Sequence, residues 1–352
     1  MWQQSLRVKK QSAQRALSLV RRMDILQKNM KIASEKDDVI IPLSRFPSEN
    51  EMTILKSKII SLEFCTYEFE ERKILKKNLF HVLKNKLPPN ALASLPRSYD
   101  VIGDIAILEI PNDLLEYRKM IGDSFRMLNP HYNTILAKDG PISDTFRVRN
   151  FFILNGGPST VTEHNEFGCK FRLDPLKVYF SPRLSSERQR ITSNIKKGEI
   201  IVDMFAGVGP FSIVIARSCD VKKIYGIDVN PYATTFMLQN IKINKCQHKI
   251  TVILADSTKT SYDSFSADRV IMNLPEKSLD ALRQACQFLR PEGGFIHLYL
   301  FASKSTSTEV LFQHIKNKIK LSGRKLVALE AIRIVKEISP REQELALELK
   351  VV

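Results

Sequence analysis

The sequence predicts an α/β protein whose second half is a parallel sheet covered by helices. From residue 199 onward, apolar strand candidates alternate with amphipathic helix candidates, a pattern typical of parallel strands joined by right-handed crossovers. A glycine-containing turn follows the first of these strands, and acidic residues close the next two. Because such sheets bind ligands beyond the carboxyl ends of their strands, we expect these motifs to lie together.

This regular half is predicted to contain five strands and three helices, most of them bounded by turn-forming residues. The predicted strands are 199–204, 223–228, 250–254, 269–272 and 294–299, and the predicted helices are 210–217, 232–244 and 278–289.

The first half is predicted to form two smaller α/β units, because 352 residues are enough for two or three domains. The predicted elements are a helix over 11–33, a strand over 38–43, a strand or hairpin over 99–111, a helix over 114–128, and strands over 145–154 and 169–173. The predicted organisation is an N-terminal module (1–62), a charged, helical linker (63–77), a middle α/β domain (78–172) and a larger domain (173–352).

The chain is strongly basic, with 54 Lys and Arg residues against 38 Asp and Glu and a formal net charge of +16. The basic residues cluster in segments 1–35 and 71–86. Because the neutralisation of phosphates releases condensed counterions, clustered positive charge favours a nucleic acid as the partner. A basic surface that binds nothing is the alternative at this point.

Three features of the composition argue against other classes of protein. The first ten residues contain no apolar signal segment, and no apolar run approaches the roughly 18 residues of a membrane span. The five cysteines are scattered, without metal-binding spacing. We therefore expect a cytoplasmic protein with reduced thiols, no bound metal and no membrane contact.

The turn after the first strand of the regular half is predicted to bind a cofactor. Residues 200–209 read Ile-Ile-Val-Asp-Met-Phe-Ala-Gly-Val-Gly. The two glycines let the backbone approach a ligand, and the helix that follows can offer amide groups to a carboxylate. The candidate cofactor-binding residues of this segment are Asp203, Phe205, Gly207 and Gly209.

Asp228 ends the next strand, where a carboxylate can accept hydrogen bonds from both hydroxyls of a ribose. This residue serves a nicotinamide dinucleotide equally well, and a helix N-cap is its structural alternative.

Two further strand ends favour S-adenosylmethionine over a dinucleotide. Asp256 closes a third strand, at the place where methyltransferases of this class bind the adenine amine. Asn273-Leu-Pro275 follows a fourth strand, and an Asn beside a rigid Pro can present amide and carbonyl groups to a planar base. Residues 173–352 are therefore predicted to form a class I, Rossmann-like methyltransferase domain, with an ordinary strand-end turn as the alternative for Asn273.

The sequence resembles the tRNA (guanine-37 N1)-methyltransferases of archaea and eukaryotes, and above all the archaeal form. The resemblance covers most of the chain and implies methylation of N1 of guanosine 37 in tRNA, with S-adenosylmethionine as the cofactor. Its strongest parts are Ser98-Tyr-Asp-Val-Ile-Gly-Asp104, Phe146-Arg-Val-Arg149, the segment 178–191, the segment 202–211, Ile271-Met-Asn-Leu-Pro275 and Ser339-Pro-Arg341.

The family's chemistry implies a role for each of five residues in this chain. Glu187 would be the general base that removes the N1 proton, and Arg147 would stabilise negative charge on O6. Asn273 and Pro275 would hold the guanine edge, and Tyr179 would shape the site. From the residues alone, Glu187 could instead belong to a surface ion pair, Arg147 could bind phosphate, and Tyr179 could be core.

The resemblance also implies tRNA contacts at two places, the anticodon loop and the outer corner. The N-terminal module, with its basic helix over 7–31, would bind the outer corner, because folded RNA is recognised largely through its backbone and shape. We expect no obligatory protein partner, and hence a monomer. Two positions depart from the family pattern: Asn150 stands in place of an acidic residue, and His164 has no assigned role.

Three alternatives stay open. A wyosine-pathway enzyme could act on the same tRNA position, either by methylating a tricyclic guanine derivative or by transferring the aminocarboxypropyl group of the same cofactor. A tRNA-binding protein could retain a degenerate methyltransferase fold, and a nicotinamide-dependent oxidoreductase could use the same turn. The tRNA-binding protein and the oxidoreductase are disfavoured because all the cofactor motifs are present in one chain. Their residues are Asp203, Gly207, Gly209, Asp228, Asp256 and Asn273.

Overall fold

A computed structural model describes residues 2–71, 78–142, 147–157, 159–259 and 266–352. The chain divides into two compact units, Met1–Lys77 and Asn78–Val352. Within the described residues, no helix combines the length and the apolar character needed to cross a membrane.

The first unit is a four-stranded antiparallel sheet with two helices. Its strand order is β2-β3-β1-β4. The elements are β1 (Trp2–Lys9), α1 (Lys10–Arg22), β2 (Ala33–Glu35), β3 (Asp38–Pro42), α2 (Glu49–Lys58) and β4 (Leu62–Glu68).

The predicted helix over 11–33 is wrong beyond residue 22, because α1 ends there in a left-handed turn. Asp24 has a φ of 52°, and the amide of Ile25 donates to the carbonyl of Val20 at 3.1 Å. A helix end of this kind usually has a glycine at the left-handed position, where this sequence has an aspartate. The basic side chains of α1 lie on its exposed face, and Ala16 and Val20 are buried.

The segment that we predicted as a linker begins with a strand. β4 pairs antiparallel with β1 from Leu62 to Glu68, so the charged residues of this stretch alternate with half-buried ones rather than forming a helix. Residues 72–77, the rest of the predicted linker, lie outside the described part of the chain. The domain boundaries themselves stay a prediction.

The second unit begins with a four-stranded sheet of order β5-β6-β7-β8, covered by helices. The hairpin predicted over 99–111 is present, with Gly103 at a φ of 56° in its turn. Strand β7 and two short helices were not predicted. The elements are α3 (Leu79–Leu83), α4 (Pro89–Ala93), β5 (Tyr99–Ile102), β6 (Ile105–Leu108), a 3-10 turn (Asn112–Tyr117), α5 (Arg118–Leu128), β7 (Thr134–Ile142) and β8 (Arg149–Asn155).

A separate hairpin, β9 (Thr162–Glu166) and β10 (Cys169–Leu173), follows this sheet. The imidazole Nδ1 of His164 lies 3.2 Å from the amide of Gly103, which donates to it. This contact joins the hairpin to the β5-β6-β7-β8 sheet of the same unit and gives His164 a structural role.

The larger sheet has seven strands, in the order β13-β12-β11-β14-β15-β17-β16. Its first five strands are parallel, as predicted, whereas β17 runs antiparallel to both of its neighbours. The elements are a 3-10 turn (Pro182–Leu184), α6 (Ser185–Ser193), β11 (Ile200–Asp203), α7 (Pro210–Ser218), β12 (Lys223–Asp228), α8 (Pro231–Ile243), β13 (Ile250–Leu254), β14 (Arg269–Met272), α9 (Leu282–Phe288), β15 (Gly294–Ser303), α10 (Thr308–Leu321), β16 (Leu326–Glu337) and β17 (Glu342–Val351).

Side chains of this sheet point alternately into two cores. Ile201 packs into the core that includes α7 and α8, and Val202 packs into the core that includes α9 and α10. Both residues are fully buried. The parallel strands are therefore covered on both faces, and their carboxyl ends form an open edge for ligands.

Candidate active site

The turn between β11 and α7 is built by two glycines in left-handed conformations. Gly207 has a φ of 56° and Gly209 a φ of 88°. A Cβ on Gly209 would lie 2.9 Å from Met237 Cγ, whereas a Cβ on Gly207 would meet nothing closer than the Tyr179 carbonyl oxygen at 3.9 Å. Gly209 therefore permits close helix packing, and Gly207 leaves open space for a ligand.

A pocket of about 710 Å³, part of it open to solvent, lies against this turn. The pocket brings together most of the predicted cofactor and acceptor residues. Among those that line it are Phe205, Gly207, Asp228, Asp256, Asn273 and Tyr179.

Asp228 has a double role at this pocket. Its Oδ2 accepts a hydrogen bond from the Gly207 amide at 2.7 Å, and its Oδ1 accepts one from the Asn230 amide at 2.9 Å. Burial raises the pKa of Asp228, while these amide donors oppose the rise. The N-cap of α8 is Asn230 rather than Asp228, because the Asn230 side chain accepts from the Tyr232 amide.

Asp256 follows β13 and lines the pocket. Burial acts against its charged form, but hydrogen bonds from Thr258 and from Lys259 together lower the pKa of Asp256. The Thr258 hydroxyl donates to Oδ1 at 2.7 Å. The carboxylate is thus held in its charged form at the pocket wall, where it can accept a further hydrogen bond.

Asp203 lies beneath the turn and is not among the described residues that line the pocket. It is 1% exposed, and its Oδ2 accepts from the Ser212 hydroxyl at 2.8 Å. Within the described part of the chain its Oδ1 is buried without a hydrogen-bond partner. Burial, with a smaller contribution from the nearby Asp228 carboxylate, raises the pKa of Asp203 to about 7, although the hydrogen bond from Ser212 opposes the rise.

The loop after β14 presents Asn273 and Leu274 to the pocket, while Pro275 is buried behind them. The Ser278 hydroxyl, which we did not predict as a site residue, lies 2.8 Å from the Leu274 carbonyl and 3.1 Å from the Met272 carbonyl. Ser278 is fully buried. The predicted Asn-Leu-Pro turn is therefore fixed from behind by a hydroxyl that hydrophobic patterns do not reveal.

Arg147 and Tyr179 stand together where this pocket meets a second one. The guanidinium carbon of Arg147 lies 5.2 Å from the centre of the Tyr179 ring, within reach of a cation–π interaction. Arg147 has a φ of 54°, and its Nη2 lies 3.4 Å from Glu276 Oε1. Among the described residues, its buried Nε has no hydrogen-bond partner. The hydrogen-bonding capacity of this arginine is thus only partly used by the described residues.

The second pocket is basic, and sequence reasoning missed most of its residues. Arg147 was predicted, but the other cations come from distant parts of the chain and were not assigned to a site. Asp100 is the acidic residue among the described ones that line it, and it pairs with Arg183 at 2.7 Å. The basic residues are Lys138, Arg147, Arg149, Arg183 and Lys336.

Glu187 lies in the first turn of α6 and does not belong to the described walls of either pocket. It is 7% exposed, so it is not part of a surface ion pair. Its Oε2 accepts from Arg190 Nη2 at 2.8 Å and from the Tyr299 hydroxyl at 2.9 Å. The segment that precedes it in the chain, residues 178–183, lines the basic pocket.

The first pocket fits S-adenosylmethionine. Gly207 leaves the space that a side chain would fill, and Asp228 and Asp256 provide acceptors for ribose hydroxyls and an amine. Two carboxylates in one pocket also suit a ligand that carries a positive charge.

Comparisons with known proteins agree with this geometry. The TRM5/TYW2 methyltransferase domain matches residues 162–328, and the tRNA methyltransferase 5 N-terminal domain matches residues 5–51. The tRNA (guanine(37)-N(1))-methyltransferase Trm5b of Methanocaldococcus jannaschii is 36% identical over 352 residues, which is 98% of both chains. The chain belongs to the TRM5/TYW2 family of methyltransferases. It is therefore an enzyme of the methyl-transferring class, and S-adenosylmethionine is its cofactor.

Other members of the TRM5/TYW2 family show how far the similarity extends. The TYW2 N-terminal domain matches residues 79–160. A solved structure described as the complex of aTrm5 and tRNALeu has a TM-score of 0.71 at 33% identity, covering 98% of this chain and 99% of that one. The tRNA 4-demethylwyosine(37)-methyltransferase Taw21 of Saccharolobus solfataricus is 32% identical over 256 residues, or 71% of this chain and 92% of that protein.

Proposed function

We propose that the chain methylates N1 of guanosine 37 in tRNA. The observation that carries this proposal is that the cofactor pocket and the basic pocket share Arg147 and Tyr179. A methyl donor in the first pocket and a nucleotide in the second would meet at these two side chains. The family relationship to Trm5b over the full chain supports the same acceptor.

The chain's residues divide the work of the reaction. When bound, the cofactor would supply a methyl group from a positively charged sulfur, and this sulfur would become a neutral thioether. Glu187 accepts the proton from N1 of guanine, so that the N1 electron pair is free to form the new bond to carbon. Arg147 donates to O6, where negative charge grows as the proton leaves. The position of Arg147 in the lining of both pockets supports this role.

Asn273, Pro275 and Tyr179 position the base. The Asn273 amide can contact the guanine edge from the pocket wall, and Pro275, buried behind it, restricts the backbone of the turn. Tyr179 keeps Arg147 in place through its ring face. Asp203 acts beneath the cofactor turn and supports the shape of that turn through Ser212.

The tRNA contacts are assigned to two surfaces. The basic pocket takes phosphates beside guanosine 37 in the anticodon loop, with charge from Arg149, Arg183 and Lys336. The unit formed by residues 1–77, together with its exposed arginines on α1, recognises the outer corner of the tRNA. The protein works as a monomer in this proposal.

A second substrate follows from the similarity to Taw21. That relative is described as a methyltransferase of 4-demethylwyosine at position 37. We extend the proposal to a tricyclic guanine derivative at the same tRNA position, because that base retains the O6 that Arg147 would contact.

The test is a methylation assay with two tRNA substrates. The protein is incubated with labelled S-adenosylmethionine and an unmodified transcript carrying guanosine 37, and the nucleosides are identified by mass spectrometry. We expect N1-methylguanosine at position 37, with no product on a control transcript that carries uridine there. Absence of N1-methylguanosine would overturn the proposal. A tRNA carrying the tricyclic precursor, assayed in parallel, tests the second substrate.

A further inference from the structure

A buried cluster of polar side chains surrounds Glu187. Three donors converge on its Oε2, namely Arg190 Nε at 2.9 Å, Arg190 Nη2 at 2.8 Å and the Tyr299 hydroxyl at 2.9 Å. Among the described residues, no hydrogen bond reaches its Oε1. The two oxygens of this carboxylate are therefore in different situations: one is fully engaged and the other is available.

Tyr299 comes from β15, 112 residues along the chain, and is fully buried. Burial raises the pKa of Tyr299 well above its ordinary value, as does the Glu187 carboxylate, so the phenol stays protonated and acts as a donor. The Phe211 ring lies 6.1 Å from the Tyr299 ring and holds it from the side of α7. The hydroxyl has little freedom to leave Glu187.

Arg190, the other donor, is held by a second carboxylate on β17. Its Nη1 lies 3.3 Å from Glu348 Oε2, and the Asn194 amide donates to the same oxygen at 3.2 Å. His297 lies in register with Glu348 on β15, with its Nδ1 at 3.8 Å from that carboxylate. The position of Glu187 therefore depends on α6, β15 and β17 together.

We propose that Tyr299 is a positioning residue for Glu187, fixing its Oε2 so that Oε1 is the oxygen that accepts the N1 proton. The inference rests on the proposed function, in which Glu187 is the base. A carboxylate with one oxygen held by buried donors has one orientation for proton transfer. Misplacement of such a carboxylate by about 1 Å can lower the reaction rate roughly a hundredfold. Tyr299 itself does not touch the acceptor.

The test is a double-mutant cycle in single-turnover methylation of the guanosine 37 transcript by the full chain. Tyr299→Phe removes one hydroxyl and keeps the ring. We expect the rate to fall about tenfold, with unchanged affinities for tRNA and S-adenosylmethionine. In the Glu187→Gln background the same change should have almost no further effect, because the carboxylate that Tyr299 positions is gone. An equal tenfold loss in both backgrounds would overturn the inference and indicate a general structural role.

A matched variant controls for the loss of a buried phenol hydroxyl as such. Tyr132→Phe is this control, since Tyr132 is a buried tyrosine in the loop between α5 and β7 that contacts Tyr99. It should leave the single-turnover rate and both affinities unchanged.

The failures of the two proposals are distinguishable. A normal rate in Glu187→Gln alone would remove Glu187 as the base and end the positioning role with it. A slow Glu187→Gln together with a normal Tyr299→Phe would leave the base in place and overturn the positioning role. Thermal unfolding of each variant identifies any that fail to fold. If Tyr299→Phe is one of them, Tyr299→Met, which adds no bulk to this fully buried site and carries no donor, replaces it in the cycle.

Discussion

The Gly207 amide donates a hydrogen bond to Asp228 Oδ2 at 2.7 Å and so joins the cofactor turn to the end of the neighbouring strand. Two motifs that lie 21 residues apart in the sequence thereby form one surface. Asp228 fixes the turn and also lines the pocket, so its geometry does not depend on the arrival of a ligand. This preorganisation reduces the entropy lost when the cofactor binds.

The two glycines of the turn should respond differently to alanine. Gly207→Ala places a methyl group in open space beside Tyr179, so we expect a small loss of stability of about 1 kcal/mol from its left-handed backbone. Its main effect should be weaker binding of S-adenosylmethionine. Gly209→Ala brings a Cβ to 2.9 Å from Met237 and should cost roughly 2–3 kcal/mol in unfolding free energy. Calorimetry measures the affinity of each variant for S-adenosylmethionine, and chemical denaturation measures its unfolding free energy. Equal losses of affinity and of stability in the two variants would contradict this prediction.

Asp203 should make the stability of the second unit depend on pH. Its pKa in the folded protein is about 7, whereas an unfolded aspartate titrates near 3.8. Between these two pKa values the folded state binds more protons than the unfolded state. The contribution of Asp203 to stability is therefore complete below about pH 4 and is lost as the pH rises to 7. The full effect is at most about 4 kcal/mol.

Asp203→Asn should flatten this pH dependence. The amide keeps an acceptor for the Ser212 hydroxyl but does not titrate, so the variant should gain stability relative to the parent at pH 8 and little at pH 4. Urea denaturation at several pH values measures the difference. Parallel curves for the two proteins would show that Asp203 is already charged at pH 5. Asp220→Asn, at an exposed site, is the control.

Arg147 should affect the chemical step more than binding. Arg147→Ala removes the donor that we assign to O6, and we expect the single-turnover rate to fall by about 10²–10³ at saturating tRNA. Arg149→Ala is the control, because Arg149 donates to the Gly140 carbonyl and lines the basic pocket without reaching the cofactor pocket among the described residues. It should weaken tRNA affinity and leave the saturated rate near normal. The opposite pattern would exchange the two roles.

Arg21 and Arg22 should contribute to tRNA affinity through charge. Both lie at the exposed end of α1. Replacing both by Gln should weaken tRNA binding and reduce the slope of log affinity against log salt by up to about 2, because each lost phosphate contact removes nearly one released counterion. Affinity for S-adenosylmethionine should not change. An unaltered salt slope would exclude this helix end from the tRNA interface.

Some of the fold could be predicted closely because the signal is local. The strands over 223–228, 250–254 and 269–272 are short apolar runs bounded by polar residues, and the structure places all three at those residues. β16 and β17 were missed because charged residues interrupt their apolar pattern and their pairing partners lie far away in sequence. In the same way, α1 was predicted too long because the turn at Asp24 depends on backbone conformation.

The site could be predicted as a set of residues but not as an arrangement. Phe205, Asp228, Asp256 and Asn273 follow strands of one parallel sheet, so their convergence is a consequence of topology. The burial of Asp203 and the contact between Glu187 and Tyr299 depend on tertiary packing, which no local pattern records. The same holds for the five cations of the basic pocket, which come from separate segments.

The insertion of β17 between β15 and β16 has a consequence for folding during synthesis. β15 keeps an unpaired edge until residues 342–351 have left the ribosome, although β16 is made earlier. The backbone groups of Leu298 and Leu300, which pair with Leu347 and Leu345 in the finished sheet, have no partner on this edge during that interval. Because an open apolar strand edge invites pairing with other chains, the nascent protein should be most prone to aggregation just before its last strand emerges.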